Sequence, residues 1–412
     1  MNSHAPEAFA SNRRRLFELM PDRSAMLLMA ASQKIRSGDT PYPYCQDKNF
    51  YYLTGHTHRQ AALLLIKNAS KTDTRMFVIE LTPVQKHWLG HLPGPAEVRE
   101  ATGIESVLSI RDLPEVLSRS LKNTDILYVD FEPAGLHEPL NETLQLADTL
   151  HRKNPHLAIR RAFSLLARLR EIKADWEVNR IRKAIGMTRD GITRILAHMA
   201  PGAMEYQMEA WFNLELHLQK TVPAFPTIAA AGRNATILHY TSVSDPLPDE
   251  SLLLLDLGAE YLHYSADISR TVPISGRFSP AQRALYNLVL EANQRTIDAA
   301  KPGLTFNDLN NVTRKILGTG MKKLKYISNW AEISRYYTHG VSHPLGLDTH
   351  DVHSGHFSTL QPGMVVTIEP GLYIEEEGIG IRIEDDILIT DTAAPPSEVE
   401  RLRKKGVDVR LV

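Results

Sequence analysis

The order of apolar and polar positions divides the chain into a first part of short, alternating segments and a second part with longer helices. Apolar runs of strand length occupy residues 25–31, 61–66, 75–81 and 126–131. Amphipathic segments typical of helices occupy residues 113–121 and 140–150. Because strand and helix patterns alternate, we predict an α/β domain here. This part shows no glycine-rich phosphate loop and no catalytic constellation.

The second part is predicted to combine helices with a largely antiparallel sheet, an α+β arrangement. One helix has a 3.6-residue apolar period and Asp175 as its predicted N-cap. Another begins at Ser279, which is followed by proline and, three residues after the serine, by the glutamine of a capping box. A third follows Thr305. The predicted domains are residues 1–168 and 169–412.

Composition and charge argue against several functions. The 412 residues include 47 basic and 48 acidic ones, so no excess of positive charge favours nucleic acid or a membrane surface. No apolar run approaches the roughly 20 residues of a membrane-spanning helix, and the first residues lack a signal-peptide core. Cys45 is the only cysteine, and its aromatic neighbours predict a packed thiol. We therefore expect a cytoplasmic protein that binds neither nucleic acid nor membrane.

Four carboxylates and one histidine in strand-like stretches are the candidate metal ligands. They are Asp256, Asp267, His343, Glu369 and Glu384. This mostly oxygen shell suits two divalent ions better than a single zinc, and a paired-metal site activates water for hydrolysis. The alternative, separate surface or ion-paired acids, fits any one of the carboxylates but fits poorly for all of them together.

The spacing of the carboxylates indicates two pairs. A polar turn at residues 375–378 separates two strand-like stretches, and a simple hairpin there places Glu369 opposite Glu384. Two such neighbouring carboxylates repel each other unless a cation or a proton lies between them. The turn between Asp256 and Asp267 is placed at residues 258–260.

The remaining histidines divide into two groups. Those that could face the site, although each alone is as readily structural, are His239, His339 and His350. Those predicted to lie in solvated loops or turns are His56, His58, His353 and His356. Rival hydrolase signatures are missing, since there is no His-Glu-x-x-His helix and no Gly-x-Ser-x-Gly elbow.

Over nearly its whole length the chain resembles the Xaa-Pro aminopeptidase (aminopeptidase P) branch of the pita-bread metallopeptidases. The stretches that carry the resemblance are Leu-Asp256-Leu-Gly-Ala-Glu-Tyr, Asp267-Ile-Ser-Arg-Thr, His339-Gly-Val-Ser-His343, Leu-Gly-Leu-Asp-Thr-His350-Asp-Val, Ile-Glu369-Pro-Gly-Leu-Tyr-Ile and Gly-Ile-Gly-Ile-Arg382-Ile-Glu384-Asp-Asp. The first part of the chain is similar to the non-catalytic domain of that family, for example in residues 47–55. The resemblance implies an α/β N-terminal domain followed by an α+β pita-bread catalytic domain.

The resemblance also implies a site with two manganese ions, for which cobalt or zinc can substitute. Asp256 would bind one ion, Asp267 and Glu384 would bridge both, and His343 and Glu369 would complete the ligand set of the second ion. A hydroxide between the ions would attack the scissile carbonyl, with Glu369 shuttling the proton. The implied substrates are peptides with proline in second position, and the implied assembly is a homodimer or homotetramer.

The resemblance assigns further side chains to the substrate. His239 and His350 match positions that steady the substrate carbonyl and the tetrahedral intermediate, and His339 matches one that lines the proline pocket. Arg382 is a further predicted substrate-binding residue. Pro344 stands where relatives often carry a bulky aromatic residue, so we expect a stiffened backbone and the loss of one wall of the substrate pocket.

Three alternatives remain at this point. A prolidase, which cleaves only Xaa-Pro dipeptides, would share the same ligands. A non-catalytic pita-bread module would bind peptides or partner proteins without metal, although relatives of that kind lose one or more of the ligands. A methionine aminopeptidase is disfavoured because the N-terminal domain is large.

Overall fold

A computed structural model describes residues 5–69, 71–132, 135 and 137–391. The chain divides into two compact units, Met1–Leu169 and Arg170–Val412. Within the described ranges, no helix combines the length and the apolar composition that crossing a bilayer requires.

The first unit is built on a mixed sheet. Its strands are β1 (Ser24–Met29), β2 (Ile35–Ser37), β3 (Thr40–Pro41), β4 (Ala61–Asn68), β5 (Lys71–Val78), β6 (Ser106–Ser109), β7 (Ile126–Val129) and β8 (Ala158–Arg161). Six of them form one sheet in the order β6-β5-β4-β1-β7-β8, while β2 and β3 form a separate hairpin. Strand β1 pairs antiparallel with β4 and parallel with β7.

Helices accompany this sheet. They are α1 (Ala5–Leu19), α2 (Lys48–Thr54), α3 (Pro83–Leu89), α4 (Pro95–Thr102), α5 (Leu113–Leu121), α6 (Glu142–Lys153) and α7 (Phe163–Glu171), which runs into the second unit. Leu117 of α5 and Leu150 of α6 belong to one buried cluster with Leu27, Leu64 and Leu127 of the central strands. The predicted α/β arrangement is confirmed, because helices and strands alternate and share this core.

Two residues of the first unit lie in environments opposite to those predicted. Cys45 is exposed rather than packed. His56 is only 7% exposed, because Gly55, at φ 66°, ends helix α2 in the left-handed region and turns the chain. The His56 ring lies edge-on to Phe50, and burial lowers the pKa of His56 to about 4. His56 is therefore a neutral core residue at neutral pH.

The second unit contains many short strands and four long helices among its described residues. The strands are β9 (Val222–Pro223), β10 (Ile228–Ala231), β11 (Leu252–Leu257), β12 (Ala259–Tyr261), β13 (Tyr264–Ser265), β14 (Ile268–Pro273), β15 (Val365–Ile368), β16 (Gly371–Ile374), β17 (Ile379–Arg382) and β18 (Asp385–Leu388). The helices are α8 (Asp175–His198), α9 (Glu205–Leu218), α10 (Pro280–Ala299) and α11 (Phe306–Lys323). Every ladder between these strands is antiparallel, as predicted.

The helix starts follow the capping chemistry in two of three cases. Ser279 and Thr305 cap α10 and α11 and form capping boxes. The prediction of Asp175 as N-cap is wrong, because Ala174 is the N-cap of α8. The Glu177 carboxylate accepts a 2.9 Å hydrogen bond from the backbone N–H of Ala174, so a reach-back from the first turn replaces the cap side chain.

Two helix pairs enclose the strands of the second unit. Phe212 and Leu216 of α9 are fully buried in a cluster with Leu253 and Leu255 of β11. A second cluster joins α10 and α11 to β16 and β17. The apolar run of β11 is explained by this burial. Both clusters border the strand ends that carry the candidate ligands.

Candidate metal centre

The predicted site residues gather around one cavity of about 240 Å³ in the second unit. Its lining is Leu238, His239, Asp256, Asp267, His339, Gly340, Ser342, His343, His350, Glu369, Arg382 and Glu384. Every residue predicted from the sequence as a metal ligand or a substrate contact is in this set. The five candidate ligands come from three separate stretches of the chain, so only the tertiary fold brings them together.

Asp256 and Asp267 are delivered by neighbouring strands. Asp256 lies on β11 opposite Ser269 of β14, and Asp267 immediately precedes β14. The 5% exposure of Asp267 makes it a buried carboxylate. A buried strand therefore ends in an acidic side chain, which is costly without a compensating charge.

The turn between these two strands is not where the sequence placed it. The chain reverses at Leu262 and His263, with φ 47° and 70°, between β12 and β13. Gly258 marks instead a close approach, since a Cβ there would lie 1.8 Å from the carbonyl oxygen of Ala266. The prediction of a turn at residues 258–260 is wrong, because Gly258 allows two backbone segments to pack closely and does not form a turn.

Glu369 and Glu384 face each other in one hairpin, as predicted. The register pairs Ile368 with Asp385 and Gly371 with Arg382, and Glu369 and Glu384 fall opposite each other in the gap between these ladders. Asn293 of α10 bridges the gap. Its side-chain amide donates to the carbonyl oxygens of Ile368 (3.0 Å) and Ile383 (3.3 Å), the residues that precede the two glutamates.

His343 presents one ring nitrogen to the carboxylates. Its Nδ1 lies 3.0 Å from the carbonyl oxygen of Pro344 and donates to it in the neutral ring. Nε2 is then unprotonated and lies 3.4 Å from Asp267 Oδ2 and 3.5 Å from Glu369 Oε1. Burial lowers the pKa of His343 to about 4. This neutral tautomer is the one that binds a metal ion.

Pro344 does not line the site cavity among the described residues. The backbone N–H groups of Leu345 and Thr367 close a short ladder between residues 343–345 and β15, and the proline nitrogen needs no hydrogen there. The Pro344 side chain lines a separate, apolar cavity of about 20 Å³ with Phe306 and Phe357. The loss of one wall of the substrate pocket therefore stays a prediction.

The carboxylates of the site are buried and repel one another, and both effects raise their pKa values. Burial raises the pKa of Glu369 to about 8, with Asp256 adding to the rise and Arg382 opposing it. Burial, reinforced by Glu384, raises the pKa of Asp267 well above its ordinary value. The pKa of Glu384 is raised by burial and by Glu369. Such a cluster needs protons or cations to be stable.

The donor set fits divalent cations. Three overlapping groups place one ligand atom from each member within 4.8 Å of the others. The groups are Asp256, Asp267 and Glu384; His343, Glu369 and Glu384; and Asp267, His343 and His350. In addition, Asp256 Oδ1 is a buried oxygen without a hydrogen-bond partner in the part of the chain that the structure describes. Oxygen-rich surroundings with one imidazole suit manganese, cobalt or zinc.

Arg382 is turned toward the ligands. It is 4% exposed, and its Nη2 donates a 2.6 Å hydrogen bond to Asp256 Oδ2. Its Nε donates to the Ser269 hydroxyl (2.9 Å), which in turn donates to Glu384 Oε2 (2.7 Å). The third donor, Nη1, contacts the Tyr373 hydroxyl (2.9 Å). This favours a positioning role for Arg382 over the predicted substrate contact.

His339 has both ring nitrogens in hydrogen bonds. Nδ1 lies 2.8 Å from the Gly340 carbonyl oxygen, and Nε2 lies 2.8 Å from the Tyr373 hydroxyl. Tyr337 stands edge-on beside the ring, at 5.4 Å between centroids. His339 can therefore offer a substrate its ring surface rather than a hydrogen bond, as a pocket for proline requires.

His239 and His350 are exposed at the cavity. Among the described residues, neither imidazole has a hydrogen-bond partner, although the His350 ring lies 4.2 Å from that of His343. The two rings are thus available to a bound molecule. Asp351, next to His350, is anchored by buried ion pairs with Arg170 (2.6 Å) and Lys173 (3.0 Å).

His353 is exposed, as predicted, and its ring also contacts a buried carboxylate. Its Nδ1 lies 2.6 Å from the buried Glu171 carboxylate, which also accepts from the backbone N–H of Ser354. His356 is exposed, as predicted. The side chains that sequence reasoning missed are the supporting ones, above all Asn293 and Tyr373. Their helix and strand patterns look ordinary, and only burial of a polar group marks them.

Comparison with known proteins agrees with this geometry. Residues 179–391 match metallopeptidase family M24, and residues 9–128 match the N-terminal domain of aminopeptidase P. The chain is 34% identical to an Xaa-Pro aminopeptidase of Haemophilus influenzae, with 95% of each chain covered.

Solved structures are similar over the same extent. One assigned as an aminopeptidase P from Bacillus anthracis superposes with a TM-score of 0.92 at 38% identity, covering 98% of this chain and 100% of that one. A zinc-substituted aminopeptidase P from E. coli in complex with product superposes with a TM-score of 0.85 at 30% identity, covering 97% of this chain and 98% of that one. The predicted resemblance and fold class are confirmed. The chain therefore belongs to metallopeptidase family M24, with an aminopeptidase P-type N-terminal domain and a pita-bread catalytic fold.

Proposed function

We propose that this protein is a metal-dependent aminopeptidase that hydrolyses the bond between an N-terminal residue and a following proline. The observation that carries the proposal is the convergence of the five ligands and three cavity histidines in a member of family M24. Curated relatives at this similarity are Xaa-Pro aminopeptidases. The substrate class is therefore peptides with proline in second position.

Two divalent ions are proposed as the cofactor, manganese by preference and cobalt or zinc as substitutes. Asp256 would hold one ion, Asp267 and Glu384 would contact both, and His343 and Glu369 would complete the ligand set of the second ion. Support comes from the raised pKa values of the buried carboxylates and from the oxygen of Asp256 without a partner. When bound, paired ions supply an activated water and stabilise developing negative charge.

The other side chains bind and orient the peptide in this proposal. His239 and His350 have ring nitrogens available to donate to the substrate carbonyl oxygen. His339 offers a ring face, backed by Tyr337 and Tyr373, to the proline. Glu369, whose Oε2 lies 3.7 Å from His339 Nδ1 and faces the cavity, would carry the proton between water and the leaving nitrogen.

The wider setting is proposed in the same terms. Residues 1–168 would form the non-catalytic domain and residues 169–412 the catalytic domain. The balanced charge and single cysteine are compatible with a cytoplasmic protein, and the family resemblance favours a homodimer or homotetramer.

Product analysis tests the proposal and separates it from prolidase. Purified, manganese-loaded protein is offered an Xaa-Pro dipeptide, an Xaa-Pro-Xaa tripeptide and a matched Xaa-Ala-Xaa tripeptide. We expect release of the first residue from the proline tripeptide, loss of that release after chelation and little cleavage of the alanine peptide. Cleavage of the dipeptide alone would reassign the protein as a prolidase. No cleavage of any peptide by metal-loaded protein would favour the non-catalytic binding module.

A further inference from the structure

His239 is presented by an irregular segment rather than by a strand. The segment that follows β10 contains a short 3₁₀ turn, Gly232–Thr236, and then runs without a strand to residue 247. Leu238 and Tyr240 on either side of His239 pack into or against the apolar cluster of this unit, whereas the His239 side chain is exposed at the cavity. Sheet hydrogen bonds therefore do not fix the backbone conformation that directs the His239 side chain toward the cavity.

One buried carboxylate accepts hydrogen bonds from several residues of this segment. Glu205, the first residue of α9, is fully buried. Its Oε1 accepts from the backbone N–H of Ala231 (2.7 Å) and from Asn234 Nδ2 (3.0 Å). Its Oε2 accepts from the Tyr240 hydroxyl (2.7 Å) and from the backbone N–H of Asp245 (3.0 Å). The four donors lie on both sides of His239 in the chain.

Glu205 is not needed to cap its own helix. Gln207 fills that role, because its side chain accepts a 2.9 Å hydrogen bond from the backbone N–H of Met204. Charge-assisted hydrogen bonds from four donors make a stiff anchor, and losing the carboxylate would leave buried backbone N–H groups unpaired.

We infer that Glu205 is the positioning residue for His239, acting through the loop at residues 231–245 and chiefly through the Tyr240 hydroxyl. The inference rests on the proposed function for the role of His239. Glu205 itself does not line the cavity. Its effect on hydrolysis therefore passes through His239, and removing His239 abolishes it.

A double-mutant cycle tests this dependence. Glu205→Gln keeps the size of the side chain but turns a donor toward the loop, so we expect kcat on the proline tripeptide to fall by about tenfold to a hundredfold, as misplaced groups typically cause, with a smaller change in KM. In the His239→Ala background the same substitution should add nothing. Tyr240→Phe, which removes one hydroxyl, should give a weaker version of the same pattern and covers the case in which Glu205→Gln fails to fold.

Glu177→Gln is the matched control. Glu177 is also a buried glutamate in the first turn of its helix, where it accepts from the Tyr264 hydroxyl (2.8 Å) and from the backbone N–H of Ala174 (2.9 Å), both outside the His239 segment. Glu177→Gln should therefore change kcat by the same factor with and without His239. Equal losses from Glu205→Gln with and without His239, or no loss at all, would overturn the inference.

A spectroscopic readout separates this inference from the proposed function. In protein labelled at its histidine rings, the His239 signal should shift or broaden in Glu205→Gln and Tyr240→Phe, and not in Glu177→Gln. If the wild type cleaves no peptide, the proposed function fails, yet the His239 signal still reports on positioning. An unchanged His239 signal in both loop variants would contradict the positioning role even in an active enzyme.

Discussion

Arg382 donates a 2.6 Å hydrogen bond to Asp256, and both side chains line the same cavity. The guanidinium simultaneously holds the hydroxyls of Ser269 and Tyr373, so that it links Asp256 to Glu384 and to His339. A residue that contacts a ligand in this way fixes the geometry of the metal site without binding the metal.

We predict that Arg382→Lys weakens manganese binding by about tenfold to a hundredfold, the usual effect of losing a partner behind a metal ligand. Lysine brings a compact charge on a flexible stem and cannot contact three groups in a plane. Titration calorimetry with manganese measures the change. Arg295→Lys, at an exposed ion pair with Glu291, is the control and should bind as the wild type does. Wild-type affinity in Arg382→Lys would show that the network is dispensable.

The hairpin that carries Glu369 and Glu384 depends on Asn293 for its continuity. Asn293→Ala leaves the buried carbonyl groups of Ile368 and Ile383 without their donor, at about 1–3 kcal/mol for each unsatisfied group. We expect the free energy of unfolding to fall by about 2–4 kcal/mol in urea titrations.

Asn179→Ala supplies the comparison for that measurement. Asn179 is exposed on α8, and among the described residues its side chain accepts only from Arg182, at 3.2 Å, so its loss should change the free energy of unfolding by about 0.5 kcal/mol or less. Equal effects of the two substitutions would mean that the Asn293 bridge contributes nothing of its own.

His56 makes stability depend on pH. Burial depresses its pKa to about 4, below the roughly 6.5 of an unfolded histidine. The unfolded chain therefore binds the proton first, and the stabilisation present above about pH 6.5 is lost as pH falls toward 4, by up to about 1.4 kcal/mol per pH unit.

The difference in unfolding free energy between the wild type and His56→Gln isolates this effect. It should be constant near pH 7.5 and shrink by about 1–2 kcal/mol between pH 6.5 and pH 5. His87→Gln, at an exposed histidine of α3, is the control variant and is measured over the same range. A pH-independent difference for His56→Gln would indicate that this ring is solvated after all.

The parts of the site that follow local rules could be predicted from the sequence. Strand alternation and the polar turn after Ile374 placed Glu369 opposite Glu384, and the structure has that register. The reversal at Leu262 and His263 could not be predicted, because two non-glycine residues at positive φ carry none of the usual turn signals.

The side chains that support the candidate ligands could not be predicted, for a different reason. Asn293 lies in a helix, where an asparagine usually faces solvent, and its two partners, in β15 and between β17 and β18, lie about 75 and 90 residues further along the chain. His56 was assigned to solvent for the same reason, and the Glu171 partner of His353 was missed, since burial and long-range contacts are properties of the tertiary fold. Long-range packing decided these positions, and a single sequence does not reveal it.

The most direct test of the account is the rate at which Glu369→Ala and the wild type, both loaded with manganese, release the first residue of an Xaa-Pro-Xaa tripeptide. Glu369 belongs to the proposed ligand set and lines the cavity beside His343, so its loss should abolish chelator-sensitive hydrolysis while the fold, followed by circular dichroism, stays intact. A folded Glu369→Ala protein that cleaves the tripeptide as fast as the wild type would contradict the proposed mechanism.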